Sequence, residues 1–168
     1  GDGIGGGEGP MVSCEFPAPI TRPATDTLAR VTRAVASRAV LRVDYFSASG
    51  GKSSREIVPF ALADNGQRWH VRAFDRKSAS FRDFVLTRIL SAEAVEGDAP
   101  RAGELPEDDA QWARVVDLEL VAHPDYARPE LAALDYPMTD GVLRIRSRAA
   151  LAGYVMRRWN VDWSPDHS

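Results

Sequence analysis

The chain has a single cysteine, Cys14, so it can hold neither an internal disulfide nor a cysteine-based zinc cage. That usage suits a reduced compartment. Histidine is also scarce, with three in 168 residues: His70 in mid-chain, His123 before a proline and His167 in the tail. They offer no metal-ligand cluster. No apolar run approaches the roughly 18–20 residues a membrane span needs, and no signal-peptide core is visible. A soluble, cytoplasmic chain with no membrane partner is expected. Charge of one sign is lacking too. The net charge is −3, so whole-chain electrostatics do not announce a nucleic-acid partner. No Ser, Cys or Thr nucleophile stands in a recognisable motif with a base. The N-terminal GDGIGGGEGP resembles a phosphate-cradling loop in composition only. No catalytic residue, no metal and no cofactor is therefore expected. A convincing helix-turn-helix is absent as well.

What is present starts with an ordinary globular composition, 44% hydrophobic and 27% charged. The charge is unevenly spread. Lys52 to Leu90 holds eight Lys and Arg against four Asp and Glu, a basic module of +4 inside an acidic chain. Residues 1–24, rich in Gly and then Pro, read as a flexible connector. The start at Gly rather than Met fits a fragment. Asp26 to Ser37 reads as a helix, capped by Thr25 or Asp26, with Leu28, Val31 and Val35 on one face.

A β-rich block follows. Val40 to Phe46 is strand-like and Ser49-Gly50-Gly51 a turn. Arg55 to Ala63 is a second strand, whose Pro59 calls for an edge or a bulge. Asp64-Asn65-Gly66 is a hairpin turn, because Asn-Gly tolerates positive φ. Gln67 to Phe74 is the third strand, and Asp83 to Ala94 a fourth that bends into a fifth. Short strands joined by tight turns predict a small barrel. The acidic, Pro/Gly-bearing stretch Glu96 to Asp109 reads as a linker. Beyond it come a strand (Ala113 to Ala122), a helix (Asp125 to Leu134), a strand (Val142 to Ser147) and a helix (Arg148 to Trp159) ended by Asn160. The expected fold class is mainly β with an α/β extension.

Arginine on strands poses the functional question, since an unpaired buried guanidinium costs several kcal/mol. In the third strand Trp69, Val71 and Ala73 share one face, and Arg68, His70, Arg72 and Phe74 the other. If the next strand pairs beside it, Arg72, Arg82, Arg88 and His70 would converge on one cavity suited to phosphate or carboxylate oxygens. Tyr45, Ser47 and Ser49 would add hydroxyls. The plainer alternative pairs each arginine with Glu56, Asp75 or Asp83 on a solvated surface. Between arginines His70 would be neutral at pH 7, a donor and an acceptor.

Three segments carry a resemblance. Arg55-x-Ile57-x-Pro59, then Trp69-His70-Val71, then Phe84-Val85-Leu86-Thr87-Arg88-Ile89 together resemble the WYL domain. RWHVRAF and RDFVLTRI look most like the WYL regulators that repress bacterial anti-phage defence operons such as BREX and CBASS. LELVAHPDY, YPMTDG and LRIRSRAALAGYVMRRWNVDW are similar to the extension that follows the WYL domain there. His70 and Val71 replace the naming Tyr and Leu, and Val85 stands where the wider family has an arginine.

The resemblance implies an Sm-like, SH3-type β-barrel over residues 25–96, a linker over 97–112 and a C-terminal α/β dimerisation extension over 113–168. It implies a homodimeric transcriptional repressor whose operator DNA is bound by a winged helix-turn-helix outside this chain. The effector would be an anionic small molecule or oligonucleotide, held by Tyr45, Ser47, Arg55, His70, Arg72, Arg82 and Arg88. The rival reading is a single-stranded nucleic-acid-binding module, with Trp69, Phe74 and Phe81 interleaved among the basic residues.

Overall fold

The computed structural model describes residues 21–65, 67–158 and 161. The expected connector over 1–24 lies almost wholly outside them, as do Trp159 and Asn160.

Helix α1 (Thr25–Ser37) opens the described chain and buries Val31 and Ala34. Its N-cap position is Ala24, with no side-chain cap, so neither Thr25 nor Asp26 plays that part. The helix lies over β2 (Gly51–Asp64) and β5 (Ile89–Ala94), which flank β1 (Leu41–Ser47), and Arg30 donates to the Ala92 carbonyl. With β3 (Trp69–Asp75) and β4 (Ser80–Val85), these strands form one antiparallel sheet in the order β4-β3-β2-β1-β5. A 3-10 turn at Leu86–Arg88 joins β4 to β5.

The barrel is not closed: among the described residues β4 and β5, its two outer strands, do not hydrogen-bond to each other. Between them the chain turns through residues whose backbones leave the ladder, so the sheet curls without sealing.

The inner face of the sheet is the core. Leu41, Val43 and Tyr45 meet Ile57, Val71, Ala73 and Phe84, with Leu86, Ile89 and Ala92 beneath. Pro59 sits at a register shift between Pro59 and Ala61 and is fully buried. Both of the expected solutions are used: β1 pairs with β2 only as far as Ile57, so at Pro59 the strand has β3 alone beside it, and the bulge begins there. Gly51, at φ +67°, closes the β1–β2 turn. Asn65 organises the β2–β3 turn, its side chain accepting from the Gln67 and Arg68 amides.

The C-terminal unit holds a second, two-stranded sheet, β6 (Val115–Val121) against β7 (Val142–Arg148), preceded by the short α2 (Ala110–Ala113). Helix α4 (Ala149–Arg158) follows β7 directly. The helix expected over Asp125 to Leu134 is reduced to a 3-10 turn at Pro129–Leu131 and one turn of α3 (Ala132–Asp135). Pro129 lacks the amide that a helix started at Asp125 would need there. No helix among the described residues is long and apolar enough to cross a membrane.

Candidate functional site

The register of β3 and β4 decides where the candidate residues go. Ala73 stands opposite Arg82, and Arg72 opposite Asp83. Alternation then places Arg82 on the inner face with Arg55 and Tyr45, and Arg72 on the outer face with His70. The seven candidates therefore do not share one cavity. They form an inner group, an outer group and one turn residue.

In the inner group, Arg55 donates through Nη1 to Asp75 at 2.8 Å and through Nε and Nη2 to Ser53. Asp75 is fully buried and also accepts from the Ser78 hydroxyl. The Arg55 guanidinium lies 5.8 Å from the Tyr45 ring and 5.7 Å from the Phe84 ring. The Tyr45 hydroxyl accepts from the Val85 amide. Arg82 is half-exposed, 4.0 Å from Asp75. Arg55 and Tyr45 are thus committed to holding the barrel. Ser47 is the turn residue: its hydroxyl accepts from the Gly50 amide and reaches the Gly51 carbonyl.

The outer group is built differently, because β3 is covered there by the linker and the C-terminal unit. Arg72 is buried and pairs bidentately with Asp109, Nε to Oδ2 at 2.7 Å and Nη2 to Oδ1 at 3.1 Å, with Asp83 3.5 Å away. Burial works against both charges, yet the Arg72–Asp109 hydrogen bonds, the charge attractions (Asp83 included) and the α2 amides on Asp109 together outweigh it. The Arg72 pKa is raised and the Asp109 pKa lowered. His70 stacks on Tyr154 of α4 with ring centroids 4.8 Å apart. It is 8% exposed, and its Nδ1 has no hydrogen-bond partner among the described residues. Arg88 is half-buried and makes no hydrogen bond or ion pair among them. Arg68 is exposed. Tyr154 is thus packed against the sheet within the chain.

Burial pushes the His70 pKa below its usual 6.5; the Asp83 charge and the Arg68 backbone oppose that shift, and the Arg68 and Arg88 charges add to it. Burial, with the Asp83 carboxylate beside it, raises the Tyr154 pKa and keeps the phenol protonated. The sign of the pH effect follows. The unfolded histidine takes up a proton near 6.5, and the folded one only at lower pH, so stability falls as pH drops below about 6.5 and is flat above it. His70→Phe, which keeps a ring against Tyr154, should remove that slope. Urea midpoints of both proteins between pH 5 and 8 check this, and parallel profiles would refute it.

The linker is pinned rather than loose. Arg76, just past β3, donates to Asp98, to both Glu104 oxygens and to the Ala99 carbonyl. Phe74 and Phe81 pack edge to face at 5.1 Å, Phe60 meets Phe81 at 6.0 Å, and Trp112 lies 5.4 Å from Phe60. Of the aromatics named for strand binding, Phe74 and Phe81 are spent in this cluster, and Trp69 is exposed. Sequence reasoning missed Asp109, Trp112 and Tyr154 as parts of the site. Asp109 before a short apolar stretch is a capping signal, but nothing local announces its arginine.

Comparison with known proteins gives the following. The WYL domain family matches residues 26–94, and the BrxR transcriptional regulator C-terminal dimerization domain matches residues 115–168. A DNA-binding transcriptional repressor CapW of Escherichia coli (strain KTE188) is 32% identical over 154 residues, covering 90% of this chain and 50% of that protein. CapW of Pseudomonas aeruginosa is 34% identical over 142 residues, covering 82% and 46%. A solved structure, proteasome accessory factor B/C (PafBC) of Arthrobacter aurescens, overlaps at a TM-score of 0.43 with 26% identity, covering 82% of this chain and 23% of that one. The chain spans about half the length of the curated relatives it matches.

Proposed function

Because this chain joins a WYL domain to a BrxR-type C-terminal dimerization domain, we propose that it is the sensing and dimerising portion of a DNA-binding transcriptional repressor. The relatives named as repressors support that reading, and operator binding is assigned to a segment outside these residues. The dimer is assigned to the C-terminal unit. There Val115, Val121, Tyr126, Leu131 and Leu134 are exposed in a unit too small to bury them alone.

The effector is an anion that enters at the outer face of β3, between His70, Arg72 and Arg88. One observation carries this: a buried imidazole nitrogen with no hydrogen-bond partner among the described residues, near an arginine side chain that is likewise unpaired among them. Buried polar groups are almost always paired, so an orphan of this kind marks a place for something else. His70 kept neutral offers Nδ1 as donor or acceptor, Arg88 supplies a charge with no ion-pair partner among the described residues, and Arg68 extends the positive field outward. A phosphate-bearing ligand, either a nucleotide or a short oligonucleotide, fits these groups.

Native mass spectrometry of protein purified from its cells is the test. An anionic small molecule or oligonucleotide should co-purify with the wild-type chain. Arg88→Ala should weaken its binding about tenfold or more, the worth of a charge-assisted contact, without lowering the melting temperature. Arg82→Ala, on the inner face, should stay within about twofold of wild type. Undiminished binding by Arg88→Ala would place the anion elsewhere.

A further inference from the structure

We propose that Asp109 is a built-in competitor for the effector: its carboxylate holds the Arg72 fork until a phosphate group takes it, and the exchange unfastens the C-terminal unit from the barrel. This rests on the anion-sensing reading above and adds its regulation.

The Arg72–Asp109 pair has the parallel, two-bond geometry that a guanidinium also makes with phosphate. Both partners are buried, so whatever occupies the fork does so away from screening water. Asp109 does not belong to the barrel. It is the N-cap of α2, where Oδ1 accepts from the Gln111 and Trp112 amides. Moving its carboxylate therefore moves the start of α2. Helix α2 carries Trp112, which packs on Phe60 of β2 and lies 4.5 Å from the Arg148 guanidinium. Arg148 in turn donates to the Trp112 carbonyl, and the Ala149 amide donates to the Arg114 carbonyl, tying α2 to the start of α4. Helix α4 then returns Tyr154 to the barrel, onto His70. The contact chain leaves β3 at Arg72 and comes back to it at His70, two residues away on the same face.

An anion that enters beside His70 and Arg88 meets Arg72 already matched in its fork by Asp109, with the Asp83 carboxylate 3.5 Å from Nη1. A carboxylate brings a single charge to that fork. A phosphate group brings up to two charges and three acceptor oxygens, enough to engage Arg72 and Arg88 together. Once it is seated, Asp109 faces a like charge at close range and is driven outward with α2. The chain thus has two discrete arrangements of one arginine, and the effector is recognised by what it displaces. Coupling is reciprocal, so a protein with Asp109 disarmed must bind the anion more tightly.

Asp109→Asn isolates the competition, because asparagine caps a helix as well as aspartate but carries no charge. Inorganic pyrophosphate is the probe and acetate at matched ionic strength the monoanionic control. Asp109→Asn should bind pyrophosphate about tenfold more tightly than wild type. In wild type, pyrophosphate but not acetate should speed hydrogen exchange at the amides of Gln111, Trp112 and Ala113. Suppose instead that pyrophosphate binds wild type through Arg88, while Asp109→Asn gains nothing and those amides stay protected. The competition is then overturned and the sensing site stands. If neither protein binds pyrophosphate, the sensing site falls and this proposal with it.

Discussion

Replacing Asp75 with alanine should lower the unfolding free energy by about 3–5 kcal/mol, the usual result of stripping a buried ion pair of one partner. Asp75 is fully buried, and Arg55, 9% exposed at its side chain, faces it at 2.8 Å. Without the carboxylate, Arg55 keeps only Ser53 and the faces of Tyr45 and Phe84, none of which neutralises a full charge. Three further bonds go with Asp75, from the Lys77 amide, the Ser78 hydroxyl and the longer Arg82 contact, so the β3–β4 turn loosens as well. Urea unfolding gives the number. The informative companion is Arg55→Met with Asp75→Leu, which removes both charges and keeps the volume. That double variant should recover most of the loss, because an apolar pair escapes the desolvation cost of the ions. A single variant within about 1 kcal/mol of wild type would mean that Arg55 reaches water unaided.

Phe84→Ala should cost a comparable amount, about 3–5 kcal/mol, for a different reason. The ring is 1% exposed, stands edge to face against Tyr45 at 5.0 Å and lies under the Arg55 guanidinium. Among the described residues it is the largest fully buried side chain, and it belongs to β4, an edge strand with a single hydrogen-bonded neighbour there. Truncation leaves a void, and the cost depends on how far β4, paired on one side only, can close over it. The urea midpoint should fall with an unchanged slope, which separates lost stability from a changed unfolded state. Phe84→Leu, filling most of the space, should lose clearly less. Equal losses from the two substitutions would show that the ring's contacts, not its volume, set the cost.

Much of the barrel was legible in the sequence, because alternation and turn chemistry are local signals. Leu41, Val43 and Tyr45 alternate as a half-buried strand should, and Asn65 forms its turn through its own side chain. The break between β4 and β5 is foreshadowed in Asp83 to Ala94, too long and too mixed for one strand. The site was read less well, for a reason that β3 makes plain. His70, Val71, Arg72 and Ala73 are all buried, so both faces of the strand are interior. Alternation sorts residues into two faces, but it does not say what covers each. The cover here is Asp109, 37 residues on from Arg72, and Tyr154, further still. Pairings across such spans leave no periodic trace. The one-residue register between β3 and β4 had the same effect, turning an anticipated cluster of Arg72 and Arg82 into two arginines on opposite sides. Pro59 gave a clear signal: it demanded an exception, and the two it allowed, a side without a ladder partner and the bulge at Pro59–Ala61, are both used.

The stretch between the two sheets has a practical corollary for anyone dissecting this molecule. Residues 98–112 are strapped over the barrel by Arg76 at one end and Arg72 at the other, with Trp112 as the buckle on Phe60. Scissors placed after β5 would bare two guanidinium groups and a greasy flank of phenylalanines that the strap now shields. A self-sufficient barrel must carry its strap with it, so the seam between the parts runs near Ala113 and not where the last barrel strand stops.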